Sequence, residues 1–477
     1  MGNDGGAFIS YDKGENWLHH NTMPIGMFNK ISVDMEDPYN IYGGTQDDSH
    51  VYGPSDQNLA FNAGDKWNYV WLDRWSGGDG LHIMPDVKDP NIVYYESQNG
   101  ALRRKNLEEN TNVFIQPKRE FCEPPLRTDW STPFYVSSTE DNTVYYGANR
   151  LFKSIDKGDN WIGISPDLTK EAEEGKKQND KITSFSVDNI DPNLIYVGSG
   201  AGLVNLTRDG GKTWNMVSSN LPEGRANSIK ISKHTKGTVY VVFSGNGADR
   251  NPYVFMSGDY GESWKSINGN LPLEKTRSIA EDPAKAGVLY LGTELGVYVS
   301  LNNGAEWISL SNGLPAVSVE DILVHPRENE LVIGTYGRGI YKMDISPIQQ
   351  ITEDVFSKEL YLFDIKEAKL PKRRDYDGDW YYETAKYPEF TFFMDSPGKV
   401  KLEIMDKSGE IVKTIDVDGI KGLNRVEWDL VEEPARYSKS AYKGGTKLFQ
   451  AGTYTVKISG KGDAFSKVLI INKFLDK

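Results

Sequence analysis

The stretch Asp191-Pro192-Asn193-Leu194-Ile195-Tyr196-Val197-Gly198, followed by Thr207-Arg208-Asp209-Gly210-Gly211-Lys212-Thr213-Trp214, decides how this chain is read. Asp-Pro is a turn signal, and the β-branched and aromatic run after it is a strand. In the second half an Asp can fold back onto turn N–H groups, Gly can take the positive φ the turn needs, and Trp packs between sheets. Both halves recur. Ser/Thr-x-Asp-x-Gly-x-x-Trp, the Asp-box, returns with Asp12 and Trp17, with Asp156 and Trp161, with Asp209 and Trp214, and with Asp259 and Trp264. A degenerate copy carries Asn302 and Trp307.

The strand marker keeps phase with it. Copies centre on Tyr42, Tyr94, Tyr145, Tyr196, Tyr240, Tyr290 and Val332, at successive spacings of 52, 51, 51, 44, 50 and 42 residues. That period is blade-sized. Each unit reads as four antiparallel strands, so the fold expected is an all-β, seven-bladed β-propeller over residues 1–346. Eight third strands are visible against seven strand pairs. Either the hairpin within residues 2–20 completes the last blade, the reading preferred here, or it belongs to a blade that begins upstream. A linker and edge segment is expected over 347–386. Short alternating strands over 387–477 then suggest an immunoglobulin-like sandwich.

Composition agrees: 12% aromatic residues and 47 Gly suit short strands and tight turns. A net charge of −14 argues against a nucleic-acid partner. Cys122 is the lone cysteine, so neither an intrachain disulfide nor a Cys-based metal site is expected. No apolar run is long enough to span a bilayer. Asp375, Asp377 and Asp379 alternate around Gly378, a spacing able to ligate Ca²⁺, although a solvated acidic loop is the preferred reading. No cofactor is expected.

The Asp-boxes resemble the BNR repeats of bacterial sialidases, two-propeller xyloglucan-cleaving glycosidases and sortilin-type (Vps10) receptor domains. Gly43-Gly44-Thr45-Gln46-Asp47, Glu96-Ser97-Gln98-Asn99-Gly100 and Gly337-Arg338-Gly339 bring the likeness closer to large exported bacterial proteins labelled as glycosyl hydrolases with BNR repeats. The tail, with Val400-Lys401-Leu402-Glu403-Ile404 and Ala451-Gly452-Thr453-Tyr454, is similar to the Ig-like module of flagellar hook-capping proteins. The resemblance implies an extracellular, periplasmic or cell-surface bacterial protein. It also implies longer relatives with a second propeller upstream, so this chain resembles their C-terminal half.

Chemistry is sparse. Arg150, Arg250, Arg277 and Arg338 exist, but nothing fixes them as a sialidase triad. Asp47, Asp48 and Asp79 are the candidate catalytic carboxylates, with turn chemistry as their simpler reading. The loops between second and third strands share one face. They offer Gln46, Asp47, Asp79, Gln98 and Asn99, then Asn149, Arg150, Arg250, Glu294 and Arg338, as a polar ring for a glycan or peptide ligand. Tyr336 and Trp75 are the stacking candidates. The function expected is exported binding or scaffolding without catalysis. The alternatives are a glycoside hydrolase completed by an upstream propeller and a sortilin-like assembly factor.

Overall fold

In the computed structural model, the repeated turn is a closed hydrogen-bond unit. At Ser154–Trp161 the Ser154 hydroxyl donates to Asp156 Oδ1 (2.8 Å) and accepts from the Gly158 N–H (2.8 Å), while Asp156 Oδ1 accepts from the Asn160 N–H (2.9 Å). The same bonds recur around Asp12, Asp209, Asp259 and Asn302. Each buried or half-buried indole then donates backwards. Trp161 reaches the Ile115 carbonyl (2.7 Å), Trp214 that of Ile164 (2.9 Å), Trp264 that of Val217 (2.6 Å) and Trp307 that of Ile267 (2.8 Å). Every acceptor sits just past the last strand of the preceding sheet, so each turn brackets its sheet to its neighbour at about 1 kcal/mol net per bond. Trp17 is half exposed and finds no such acceptor among the described residues.

The structure describes all residues except 4–5, 21–24, 57–65, 72–77, 172–178, 312, 371–386, 434–436, 439–440, 443–446 and 474–477. The chain divides into two units, the first covering residues 1–56 and 66–344, the second beginning at Ile345. The candidate Ca²⁺ ligands Asp375, Asp377 and Asp379, and the stacking candidate Trp75, lie outside the described residues.

In the first unit the strands Phe134–Val136, Val144–Gly147, Leu151–Ser154 and Ile162–Gly163 pair in chain order as one antiparallel sheet. Sheets of the same order begin at Ile182, Arg225 and Thr276. A three-stranded sheet begins at Val319. The two units of sequence beginning at Phe28 and Gly78 are fused into one eight-stranded sheet by a short parallel pairing, Asp48 with Gly78 and Ser49 with Asp79. The core lies between successive sheets: Tyr196, Val204 and Leu206 pack on Ala226, Ile229 and Val241.

The repeated second-strand Tyr, followed in most copies by x-Gly, has a structural task. Tyr42, Tyr94 and Tyr290 are buried and donate their hydroxyls to Asp34 (2.9 Å), Asp86 (3.2 Å) and Asp282 (2.9 Å), the acids that close the turn between first and second strands. Burial, then the adjacent carboxylate, pushes all three phenols well up. The glycine admits the next sheet. A Cβ on Gly44 would meet the Leu81 carbonyl oxygen at 1.9 Å, and one on Gly198 would meet the Ala226 side chain at 2.7 Å.

First strands of successive sheets touch in order except at one step, where Val144–Gly147 makes the contact to Ile182–Val187, and Val319–His325 touches Phe28–Val33, which closes the circuit. Phe28, Ile31 and Ile41 share a core with Val332, and Met27 bridges to Tyr336. The Gly26 carbonyl accepts from the Gly337 (3.2 Å) and Gly339 (2.9 Å) N–H groups. The expectation that residues 2–20 complete the last sheet is therefore corrected. Gly2–Asn3, Gly6–Ile9 and Leu18–His20 pair only with one another among the described residues, and Ile340–Asp344 pairs with Glu330–Thr335 alone. Closure comes from first-strand packing, which needs no borrowed strand.

In the second unit Glu389–Met394 lies between Leu360–Leu362 and Gly422–Glu427. Gly398–Met405, Ile411–Gly419, Gly452–Gly460, Asp463–Asn472 and the edge strand Ala368–Lys369 make a five-stranded sheet. The two sheets share one core around Trp428, with Phe390 and Phe392 from one and Leu402, Val456 and Leu469 from the other. Among the described residues no helix is long and apolar enough to cross a membrane.

A candidate ligand cleft at the ring's polar face

A β-bulge recurs near the start of the first strands. Asn29, Thr183, Asn227, Arg277 and Glu320 each stand as the extra residue where the register shifts. A bulge re-aims one side chain and increases local twist. Three of these side chains reach the next sheet and donate to a backbone carbonyl: Asn29 to Gly80 (2.9 Å), Thr183 to Ala226 (2.8 Å) and Asn227 to Thr276 (2.8 Å). These are clasps between neighbouring sheets.

At Arg277 the clasp is broken. Its guanidinium makes no hydrogen bond among the described residues, and its Nε is buried without a partner. The Glu320 carboxylate stands 3.8 Å from Nε, and Glu294 stands 3.7 Å from the terminal nitrogen. Both lie beyond hydrogen-bond length. Glu320 accepts instead from the Ser318 hydroxyl (2.5 Å), and Glu294 from Arg250 (2.8 Å). Around these groups opens a cavity of about 420 Å³, lined also by Asn29, Leu295 and the half-exposed Tyr336. An arginine with free donors between two carboxylates is a costly arrangement to leave unsatisfied. It suits a ligand that accepts from the guanidinium and donates to the carboxylates.

The residues expected from sequence divide around this cleft. Arg250 and Glu294 line it. Gln46 is tied to it, because its side-chain oxygen accepts from the Tyr336 hydroxyl. Arg338 is exposed beside it in sequence, with no ion pair among the described residues. Gln98, Asn99, Asn149 and Arg150 do not line it. Asn99 sits at φ 62° in a turn and donates its N–H to the Trp130 carbonyl (3.0 Å). Asn149 is buried and bonds Asp167 (2.9 Å), and Arg150 pairs with Glu123 (2.6 Å).

Asp47, Asp48 and Asp79 do come together, at the parallel junction between the fused sheets. Asp79 is buried and its carboxylate accepts from the Asp47 N–H (3.0 Å), while the Asp47 carbonyl accepts from the Gly78 N–H (3.1 Å). Asp48 starts the paired strand. None of the three lines the cleft. Sequence reasoning passed over Asn29, Ser318 and Glu320 and gave Arg277 no place. The available signal was a polar residue one or two positions inside five of the first strands, long and charged in two of them.

The GH74 xyloglucanase from Xanthomonas campestris superimposes with a TM-score of 0.52 at 16% identity, over 68% of this chain and 52% of the xyloglucanase. The first unit is a β-propeller. A GH74 enzyme from Niastella koreensis is also similar, at 14% identity and a TM-score of 0.49, over 92% of this chain and 72% of that one. The chain thus spans about half the length of the xyloglucanase it matches. At such identities the likeness is one of fold. No family model and no curated protein matches the sequence.

Proposed function

We propose that this chain is an exported, non-catalytic binding protein, a seven-bladed propeller that holds a neutral glycan in the cleft around Arg277. The second unit, read as an Ig-like sandwich, serves as spacer or attachment module. The observation that carries the reading is the Arg277 guanidinium, ion-paired at 3.7 and 3.8 Å to Glu294 and Glu320 but hydrogen-bonded to neither. The cleft's charges balance, Arg250 and Arg277 against Glu294 and Glu320. A charged ligand would find as much repulsion as attraction there, whereas vicinal hydroxyls both accept and donate. Tyr336 offers an aromatic face at the rim. A peptide is the weaker ligand on this ground, though its amides also accept and donate.

The test is calorimetric titration of the whole chain with neutral and acidic polysaccharides. Saturable binding of a neutral glycan that is lost in Arg277→Ala supports the reading. Binding that survives the substitution moves the site elsewhere on the face.

A second reading keeps the cleft and adds chemistry. Glu294 and Glu320 are two carboxylates in one cavity, the pair a glycoside hydrolase needs. Release of reducing ends from xyloglucan or a related polysaccharide, abolished in Glu294→Gln or Glu320→Gln, would replace the binding-only reading with this one.

A further inference from the structure

Glu96 stands where the repeat puts glycine. Two residues past the second-strand Tyr or Val, the other sheets carry Gly44, Gly147, Gly198, Gly292 and Gly334, and Val242 in one case. Those glycines admit the next sheet, whereas at Glu96 a side chain enters the seam. Glu96 is fully buried, and its Oε1 accepts from the Gly100 and Thr132 N–H groups, both at 3.0 Å. Thr132 leads into the first strand of the next sheet, Phe134–Val136, so the carboxyl ties two sheets together. Its Oε2 is also buried and has no hydrogen-bond partner.

No cation answers this carboxyl: Glu96 has no ion pair among the described residues. His82 lies opposite it, at the register shift between Gly80 and Ile83. His50, on Asp48–Pro54, places Nε2 3.0 Å from the Glu96 carbonyl oxygen. Desolvation lowers both imidazoles, His50 to about 4, so neither is charged at neutral pH. Tyr146 donates its hydroxyl to the Gly100 carbonyl (2.8 Å). Asp129, whose carbonyl accepts from the Thr132 hydroxyl (2.8 Å), is a second carboxylate, paired with Lys181 and Arg225. Burial, with Asp129 adding, pushes the Glu96 carboxyl well up, against the two N–H bonds that favour its ionised form. A buried carboxylate without a counter-charge is costlier than a buried acid.

We propose that Glu96 is a base-sensitive pin: as the neutral acid it fastens the segment from Asp129 to Thr132 to the strand Ile92–Ser97, and its ionisation releases that segment. The release reaches the polar face, because Asp129 holds Lys181 and Arg225 at the starts of two further sheets. The Trp130 carbonyl, which accepts from the Asn99 N–H (3.0 Å), moves with it. The pin is independent of the glycan cleft, which Glu96 does not line. A carboxyl raised on folding contributes stability that is fully present below its unfolded value of about 4 and is lost as pH rises through the folded value. The seam therefore weakens on the alkaline side.

Two measurements on the whole chain test this. The infrared difference between the natural chain and Glu96→Gln at neutral pH should contain the carbonyl band of one protonated acid; carboxylate bands in its place overturn the proposal. Exchange of the Gly100 and Thr132 amides, corrected for intrinsic rates, should accelerate above about pH 5, by up to about tenfold per pH unit, and level off once the acid ionises. In Glu96→Gln the corrected rates should not change over that range. Equal acceleration in the variant, or none in the natural chain, overturns the pin. Should Glu96→Gln fail to fold, the natural chain alone decides. Its protonated-acid band should survive at neutral pH and fade where the acceleration levels off, and absence of that band at neutral pH overturns the proposal.

Discussion

Two kinds of bulge occupy equivalent places in this propeller. At Asn29, Thr183 and Asn227 a short side chain donates to a carbonyl of the next blade and is satisfied. At Arg277 and Glu320 a long charged side chain stands in the same position, touches its neighbour at 3.8 Å and leaves a cavity. The first kind is architecture. The second forgoes a clasp worth about 1 kcal/mol and gains unsatisfied donors in a cleft. Departures from a local rule without a structural gain are where function is expected.

The sharpest way to break the comparison is affinity. Arg277→Ala should weaken glycan binding about 100-fold, roughly 2.8 kcal/mol by the tenfold-per-1.4 relation. It should move the melting midpoint only slightly, since the guanidinium makes no hydrogen bond to lose and its two ion pairs are long and partly exposed. A large fall in midpoint with binding intact would place Arg277 with the architecture instead. Asn227→Ala should do the reverse. Losing its bonds to Thr276 and Ser244 should cost about 1–2 kcal/mol in denaturant titration. Affinity should not change, because Asn227 does not line the cleft. Converting one kind into the other gives a finer test. Arg277→Asn should restore a clasp to the next blade and raise stability by a few tenths to about 1 kcal/mol while abolishing binding.

Much of the architecture was legible because each repeated residue has one local task. Tyr42, Tyr94 and Tyr290 announce a buried strand whose hydroxyl needs an acid at the preceding turn, and that acid is visible as Asp34, Asp86 or Asp282. Gly44 and Gly198 mark where the next sheet presses in. The bulges were not legible, because an extra residue shows only against a pairing register that a sequence does not display. Their occupants also share no chemistry: Asn, Thr, Asn, Arg and Glu. Loop position therefore found Arg250 and Glu294 but missed Glu320, which a strand carries. It also gathered Asn149 and Arg150, whose polar atoms are answered by Asp167 and Glu123. The hairpin at residues 2–20 was assigned to ring closure because counting strands cannot register the first-strand packing that closes the circuit.

The smallest expected effect lies on the opposite face, in the turns, where one natural substitution supplies the control. Hydrogen bonds to the ionised form, from the Asn160 side chain first and its N–H next, lower the Asp156 pKa to about 2. Asp12, Asp209 and Asp259 are lowered to about 2 in the same way. A carboxyl depressed on folding stabilises above its unfolded value near 4 and loses that contribution as pH falls through the folded value. Between about pH 4 and pH 2 these four turns should loosen progressively. The fifth turn has Asn302, whose side-chain oxygen accepts from the Glu306 N–H at the same 2.9 Å and cannot titrate in that range. Amide exchange of Asn160, corrected for intrinsic rates, should therefore accelerate on acidification while that of Glu306 does not. In Asp156→Asn the Asn160 amide should lose its acid sensitivity and follow Glu306. Parallel acceleration of both amides in the natural chain would mean that the blades open together, and that the turn carboxylates have no separate share in the acid response.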